Sequence, residues 1–159
     1  PYALLAAQLG DSDAATCYVL TMNEPGYIDG ILSHPEWLSD YNNNAMSLVD
    51  ISLRAGNWSL VTLLQAAYSP SSTRPNALLP RVTGTDTEQS YRFLQLLRSS
   101  PTLAANEATM LDLKISEAER ALSQSQIAEA KDWAASMFNR YFKDSRPDET
   151  QQAAQACFD

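Results

Sequence analysis

Residues 2–22, YALLAAQLGDSDAATCYVLTM, decide the fold. The segments 2–9 and 12–22 each carry apolar side chains at three- to four-residue spacing, the period of a helix with one buried face. Between them stands Gly10-Asp11. Glycine suits the left-handed position just past a helix end, and aspartate suits the N-cap of the next helix. The stretch therefore predicts two short helices closed into a tight hairpin. The same grammar returns at 44–55 and 58–68, split by Gly56-Asn57. Four and eight positions after Gly10 stand Ala14 and Tyr18; after Gly56 they are Leu60 and Leu64, with Tyr68 at twelve. A spacing of four keeps these residues on one face of the second helix, packed on the first.

Outward from the hairpins, the segment 23–41 (NEPGYIDGILSHPEWLSDY) reads as irregular, with Ser33 and Glu36 as a capping box and Pro35 in the first turn. Residues 69–84 (SPSSTRPNALLPRVTG) are rich in Pro and Ser and read as a loop with a short turn at Ala77-Leu78-Leu79. Loops that long inside one domain are often functional. Thr85 and Glu88 predict a capping box for a helix over 86–98, and 102–121 reads as helix with Met110, Leu111, Leu113 and Ile115 on its buried side. Ser123 and Gln126 form a second box, opening a helix over 124–142 whose stripe is Ile127, Ala130, Trp133, Ala134, Met137, Phe138 and Tyr141. Arg140 and Lys143 suit the negative end of its dipole. A last helix covers 148–157 after Pro147. No stretch alternates polar and apolar residues in the manner of a strand, so the expectation is all-α, with about seven or eight helices.

On these residues the chain resembles the Sel1-like repeats, relatives of the tetratricopeptide repeats, whose pattern is A-A-x-x-G-x-x-x-A-x-x-x-L-G-x-x-Y. Residues 6–18, AAQLGDSDAATCY, are similar to it, with Tyr18 at the leucine and Val19 at the following glycine. Residues 52–68, SLRAGNWSLVTLLQAAY, keep the glycine, the leucine and the tyrosine but carry bulkier groups at the small positions. The period from Gly10 to Gly56 is 46 residues, longer than the about 34–40 of such repeats, and the material around Pro25–Trp37 would account for the excess. The resemblance implies a short superhelical α-solenoid. Two hairpins with an inserted irregular segment would occupy 1–69, a loop 70–84, and further hairpins or a cap 85–159. It also implies a non-enzymatic scaffold or adaptor that binds another protein.

The chain has 159 residues, 45% apolar and 19% charged, enough for one core. Its net charge of -8 is unevenly spread: residues 1–53 hold seven carboxylates and no Lys or Arg before Arg54. Nucleic-acid binding needs clustered cations to displace counterions from phosphates, so it is not expected. Nor is membrane insertion, since no apolar run approaches the length of a bilayer span. A basic protein partner suits the acidic half. The partner-binding candidates are Asp29, Glu36, Trp37, Asp40, Tyr41 and Trp58, with aromatic side chains set among carboxylates.

No cofactor, metal or catalytic constellation is expected. The five glycines form no phosphate loop, Asp40–Asn44 lacks the glycine of a calcium loop, and no G-x-S-x-G accompanies the lone His34. Two rival readings remain: an immunity or inhibitor protein neutralising a cationic toxin or effector, and a small hydrolase using pocket carboxylates or His34. Cys17 and Cys157 stand near opposite ends. In a linear stack with helices about 9–10 Å apart they are two separate thiols. A bond between them would require the last helix to fold back on the first hairpin and would argue for an oxidising compartment. The scarcity of Lys points to a bacterial gene, with cytoplasm and periplasm both open. A start at Pro1 rather than Met is expected of a chain that has been processed or excised, with room for an upstream targeting segment or for a longer parent protein.

Overall fold

The computed structural model describes residues 2–24, 26–70 and 77–159. Ten α-helices follow one another among them: α1 (Tyr2–Gln8), α2 (Ser12–Met22), α3 (Tyr27–Ser33), α4 (Pro35–Arg54), α5 (Trp58–Tyr68), α6 (Leu79–Thr83), α7 (Thr87–Arg98), α8 (Ala105–Glu119), α9 (Gln124–Met137) and α10 (Pro147–Gln155). A π-helical turn, Phe138–Phe142, prolongs α9, and a short 3-10 turn, Ala156–Phe158, follows α10. No strand occurs among the described residues, and the fold is all-α.

Both glycine hinges close their helices in the same way. Gly10 sits at φ +100° and Gly56 at φ +75°. The Asp11 N–H donates to the Ala6 carbonyl and the Asn57 N–H to the Ser52 carbonyl, while the N–H groups of Gly10 and Gly56 reach Ala7 and Leu53. That bond pair is a Schellman end, which a left-handed residue makes possible. The Asp11 and Asn57 side chains then accept from the N–H groups of Ala14 and Leu60, capping α2 and α5.

Packing passes from α1 to α2, α2 to α4, α4 to α5, α5 to α7, and from α7 to both α8 and α9. Val19, Leu48, Leu60, Leu64, Leu96 and Phe142 share one main core. Each such buried side chain contributes about 1.5–3 kcal/mol. Most polar groups inside are paired, as burial demands, though the Tyr41 hydroxyl and the Arg92 Nε find no hydrogen-bond partner among the described residues. Thr16 and Ser52 join their hydroxyls between α2 and α4, and the Asn57 amide donates to Thr16 at 3.2 Å. Asn23 accepts from the Leu79 N–H at 2.8 Å, fastening α6 to the end of α2.

The chain after α9 determines the remaining wall. In the π turn the Lys143 N–H donates to the Phe138 carbonyl at 2.8 Å, a wider loop than an α-helix makes. Phe138 and Phe142 then flank Trp58, with ring centroids at 6.4 and 4.7 Å. The Trp58 indole N–H donates to the Ser145 carbonyl at 3.1 Å, and the Ser145 hydroxyl donates to the Gly56 carbonyl. The backbone has thus turned back across the α4–α5 hinge, and α10 lies against α5 and α2.

Several expectations are corrected. Cys17 and Cys157 are not separate thiols: they form a disulfide with Cα atoms 5.2 Å apart, because the C-terminal segment folds back instead of extending the stack. The stretch 23–41 is mostly helical. Pro35 at the first position and Glu36 in the first turn start α4 there, and no Gly or Pro interrupts it before Ala55, so it runs to 20 residues. α3 and α6 are the helices that sequence reading did not separate. Ser33 makes no box; His34 is the cap residue, and its Nδ1 lies 3.2 Å from Glu36. Asp86, not Thr85, caps α7 by accepting from Gln89. The box of Ser123 and Gln126 has both of its bonds. Of the α9 stripe, Ile127, Ala130 and Ala134 are buried and the rest half-buried. Met110 and Leu113 are exposed, not buried, because α8 leans chiefly on α7, with Ile115 and Ala118 packed on the cluster around Tyr91. Of the 70–84 loop, residues 71–76 lie outside the described residues, and Leu79–Thr83 is helical.

Candidate functional site

α5 leaves one side uncovered. Leu60, Val61, Leu64 and Ala67 turn into the core, while Ser59, Thr62, Leu63 and Ala66 stay at least partly accessible at helical spacing. Two clefts meet over this face. The larger, about 680 Å³, runs from Trp58 and Ser59 to the α7–α8 junction at Leu97 and Leu103 and to α10 at Pro147. The smaller, about 290 Å³, lies between Leu20 of α2, Ala66 of α5 and Pro80 of α6. Ser59 and Thr62 line both, so the two form one trough along α5.

Its charge is one-sided. Glu107 and Asp148 stand in the larger cleft and Glu24 in the smaller, and the described lining residues include no Lys or Arg. Glu24 and Glu107 make no ion pair among the described residues, whereas Asp148 lies 3.7 Å from Arg146. Both members of that pair are largely exposed, so it holds the carboxylate only weakly. The small floor lets an extended backbone approach closely. The Ser59, Thr62, Ser100 and Thr102 hydroxyls offer hydrogen bonds, and the carboxylates accept charged ones from Arg or Lys. A further hollow of about 150 Å³ separates Asp13 and Thr16 of α2 from Glu149 and Thr150 of α10. Thus α10 forms one side of both depressions beside it.

The structure disperses the sequence candidates. Asp29, Glu36 and Asp40 are exposed on α3 and α4. Trp37 is half-buried, its ring stacked 4.4 Å from His34 and close against Gly30. Tyr41 is a correction: it is fully buried in the core, stacked 5.9 Å from Tyr18, and offers no surface to a partner. Burial pushes the Tyr18 phenol up to about 12, with Asp40 adding to it; burial and then Tyr18 push Tyr41 further up. Trp58 is the second correction. Only 4% exposed, its ring is taken up by Phe138 and Phe142, so it shapes one end of the trough instead of presenting a contact face. His34 is exposed at the α3–α4 junction and does not line the trough.

Sequence reasoning did not single out Glu107 and Asp148, and held Glu24 only as one of the carboxylates of 23–41; the three lie far apart in the chain and tertiary packing sets them along the two clefts. The usable signal was the row of small residues Ser59, Thr62 and Ala66 on one face of α5. No known protein family model, curated protein or solved structure matches the chain. Among the described residues no helix is long and apolar enough to cross a membrane, and no three His, Cys, Asp or Glu side chains gather as metal ligands.

Proposed function

We propose that the chain is a non-enzymatic protein-interaction module, a short stack of Sel1- or tetratricopeptide-like hairpins whose trough over α5 receives an extended, basic segment of another protein. The trough carries this reading: among the described residues its charged lining is carboxylate, its floor is small, and hydroxyls border it. The acidic excess of residues 1–53 supports it from a distance, since an unbalanced field raises the encounter rate with a cationic partner. The disulfide fits an oxidising compartment, which favours a bacterial periplasm over the cytoplasm.

Isothermal titration with a synthetic octapeptide alternating Arg and Ala tests the reading. Reversal of the trough carboxylates (Glu24→Lys, Glu107→Lys, Asp148→Lys) is expected to weaken binding tenfold or more, and added salt to weaken it further. Reversal of the outer acids (Asp29→Lys, Glu36→Lys, Asp40→Lys) is expected to change Kd less than threefold. The opposite ranking would place the docking face on α3 and α4, and equal small effects would remove the site altogether.

A further inference from the structure

We infer that the Cys17–Cys157 disulfide is a redox latch on the trough: its reduction releases α10 and takes away one of the trough's walls. The inference rests on the docking reading above and adds regulation to it.

Two observations on either side of Ser145 carry it. Upstream, the returning chain is held by the interior. Phe142 is fully buried, Trp58 is packed between Phe138 and Phe142, and the Ser145 backbone and side chain bond to Trp58 and to the Gly56 hinge. Downstream, no side chain of α10 is buried; Pro147, Thr150 and Ala154 are half-covered, and the rest are exposed. A nine-residue helix with no buried side chain is marginal in water, so little besides the covalent bond keeps it in place. That bond lies beyond the end of α10, at Cys157, and reaches back to α2. The position of α10 is therefore fixed at both ends, by Ser145 and by the disulfide. Cutting the second tie leaves Arg146–Asp159 attached at one end only.

The consequence falls on the trough because α10 supplies Pro147, Asp148 and Gln151 to its larger cleft. Release withdraws one of its carboxylates and opens that side to water. The chemistry balances with a dithiol reductant. One thiolate attacks a protein sulfur and forms a mixed disulfide, and the other protein sulfur leaves as thiolate and takes a proton. The second thiol of the reductant then closes its own ring and frees the second cysteine. Two electrons and two protons pass to the protein, and the reductant leaves as a cyclic disulfide. Both cysteines are half-buried and so partly open to such a reagent.

The test compares the full chain, oxidised and after reduction with dithiothreitol, by amide hydrogen exchange and by titration with the Arg/Ala octapeptide. The Cys17→Ser, Cys157→Ser double variant serves as a reductant-free copy of the reduced state. Expected in the reduced state are exchange over 147–157 close to that of an unstructured peptide, protection in α4, α5 and α7 that still stands at least tenfold above it, and peptide affinity lower by about five- to tenfold. Protection over 147–157 equal to that of α4, α5 and α7, or protection lost through all of them together, overturns the latch. Local release without any change in affinity also overturns it while leaving the docking reading intact. An oxidised chain that binds no peptide removes the docking reading, and control of docking falls with it.

Discussion

Alanine at the two hinge glycines separates a local turn effect from the docking of the C-terminal segment. Gly10 and Gly56 hold the same place in the same turn, both with positive φ, so the left-handed strain of Ala is similar at each, about 1 kcal/mol. Their surroundings differ. A Cβ at Gly10 meets nothing within 4 Å. A Cβ at Gly56 runs into the Tyr141 backbone carbonyl and comes within 2.9 Å of the Ser145 Cβ. The carbonyl belongs to the backbone of the π turn and cannot swing aside, so the whole 141–145 stretch must shift. That shift endangers two hydrogen bonds, Trp58 to Ser145 and Ser145 to Gly56, at about 1 kcal/mol each. With at least 1 kcal/mol for the overlap, Gly56→Ala is expected to cost about 4 kcal/mol. At about 2–4 °C per kcal/mol this lowers Tm by roughly 8–16 °C, against about 2–4 °C for Gly10→Ala. Urea denaturation followed by tryptophan fluorescence measures both. Losses equal within about 0.5 kcal/mol would refute the reasoning, because the chain after α9 would then not rest on the hinge.

Three further outcomes are expected. Replacing both cysteines by serine opens a loop with a sequence separation of 140 residues, and the chain-entropy relation gives a loss of about 5 kcal/mol, read from the urea midpoint; a loss under about 1 kcal/mol would contradict a bond joining the two ends. Tyr41→Phe removes a buried hydroxyl that has no hydrogen-bond partner among the described residues, so stability should stay level or rise by about 1 kcal/mol, and a clear loss by thermal melting would mean that the hydroxyl is paired. Raised phenols predict alkaline sensitivity. Tyr18 and Tyr91, both near 12, and Tyr41 above them keep protons that the unfolded chain has released beyond pH 10. Stability is therefore intact below about pH 10 and falls as pH rises through 12; a urea midpoint flat from pH 8 to 11.5 contradicts this.

The hinges were legible because their signals are local. A glycine with a cap residue behind it needs only the backbone to explain it, and Gly10-Asp11 and Gly56-Asn57 behave alike. The box at Ser123 and Gln126 was legible for the same reason. At Thr85 the true cap lay one residue on, since Asp86 competes for the same N–H groups and a capping pattern tolerates a shift of one. The length of α4 was hidden by polar residues such as Asn42–Asn44, whose low helix propensity is overridden by Tyr41, Ala45 and Leu48 packing inward. The trough and the disulfide were less accessible. Both depend on the backbone reversing after the π turn, and nothing between Phe138 and Ser145 announces a reversal in sequence terms. Aromatic content suggested Tyr41 and Trp58 as contacts, yet aromatic rings beside a core are most often filling it, as these two do.

The most direct measurement is amide chemical-shift mapping of the oxidised chain during titration with the Arg/Ala octapeptide. The account predicts that shifts concentrate at Ser59, Thr62 and Ala66 on α5 and at Glu24, Glu107 and Asp148 beside it. Shifts gathered instead around Asp29, Glu36 and Asp40, with α5 silent, would contradict it.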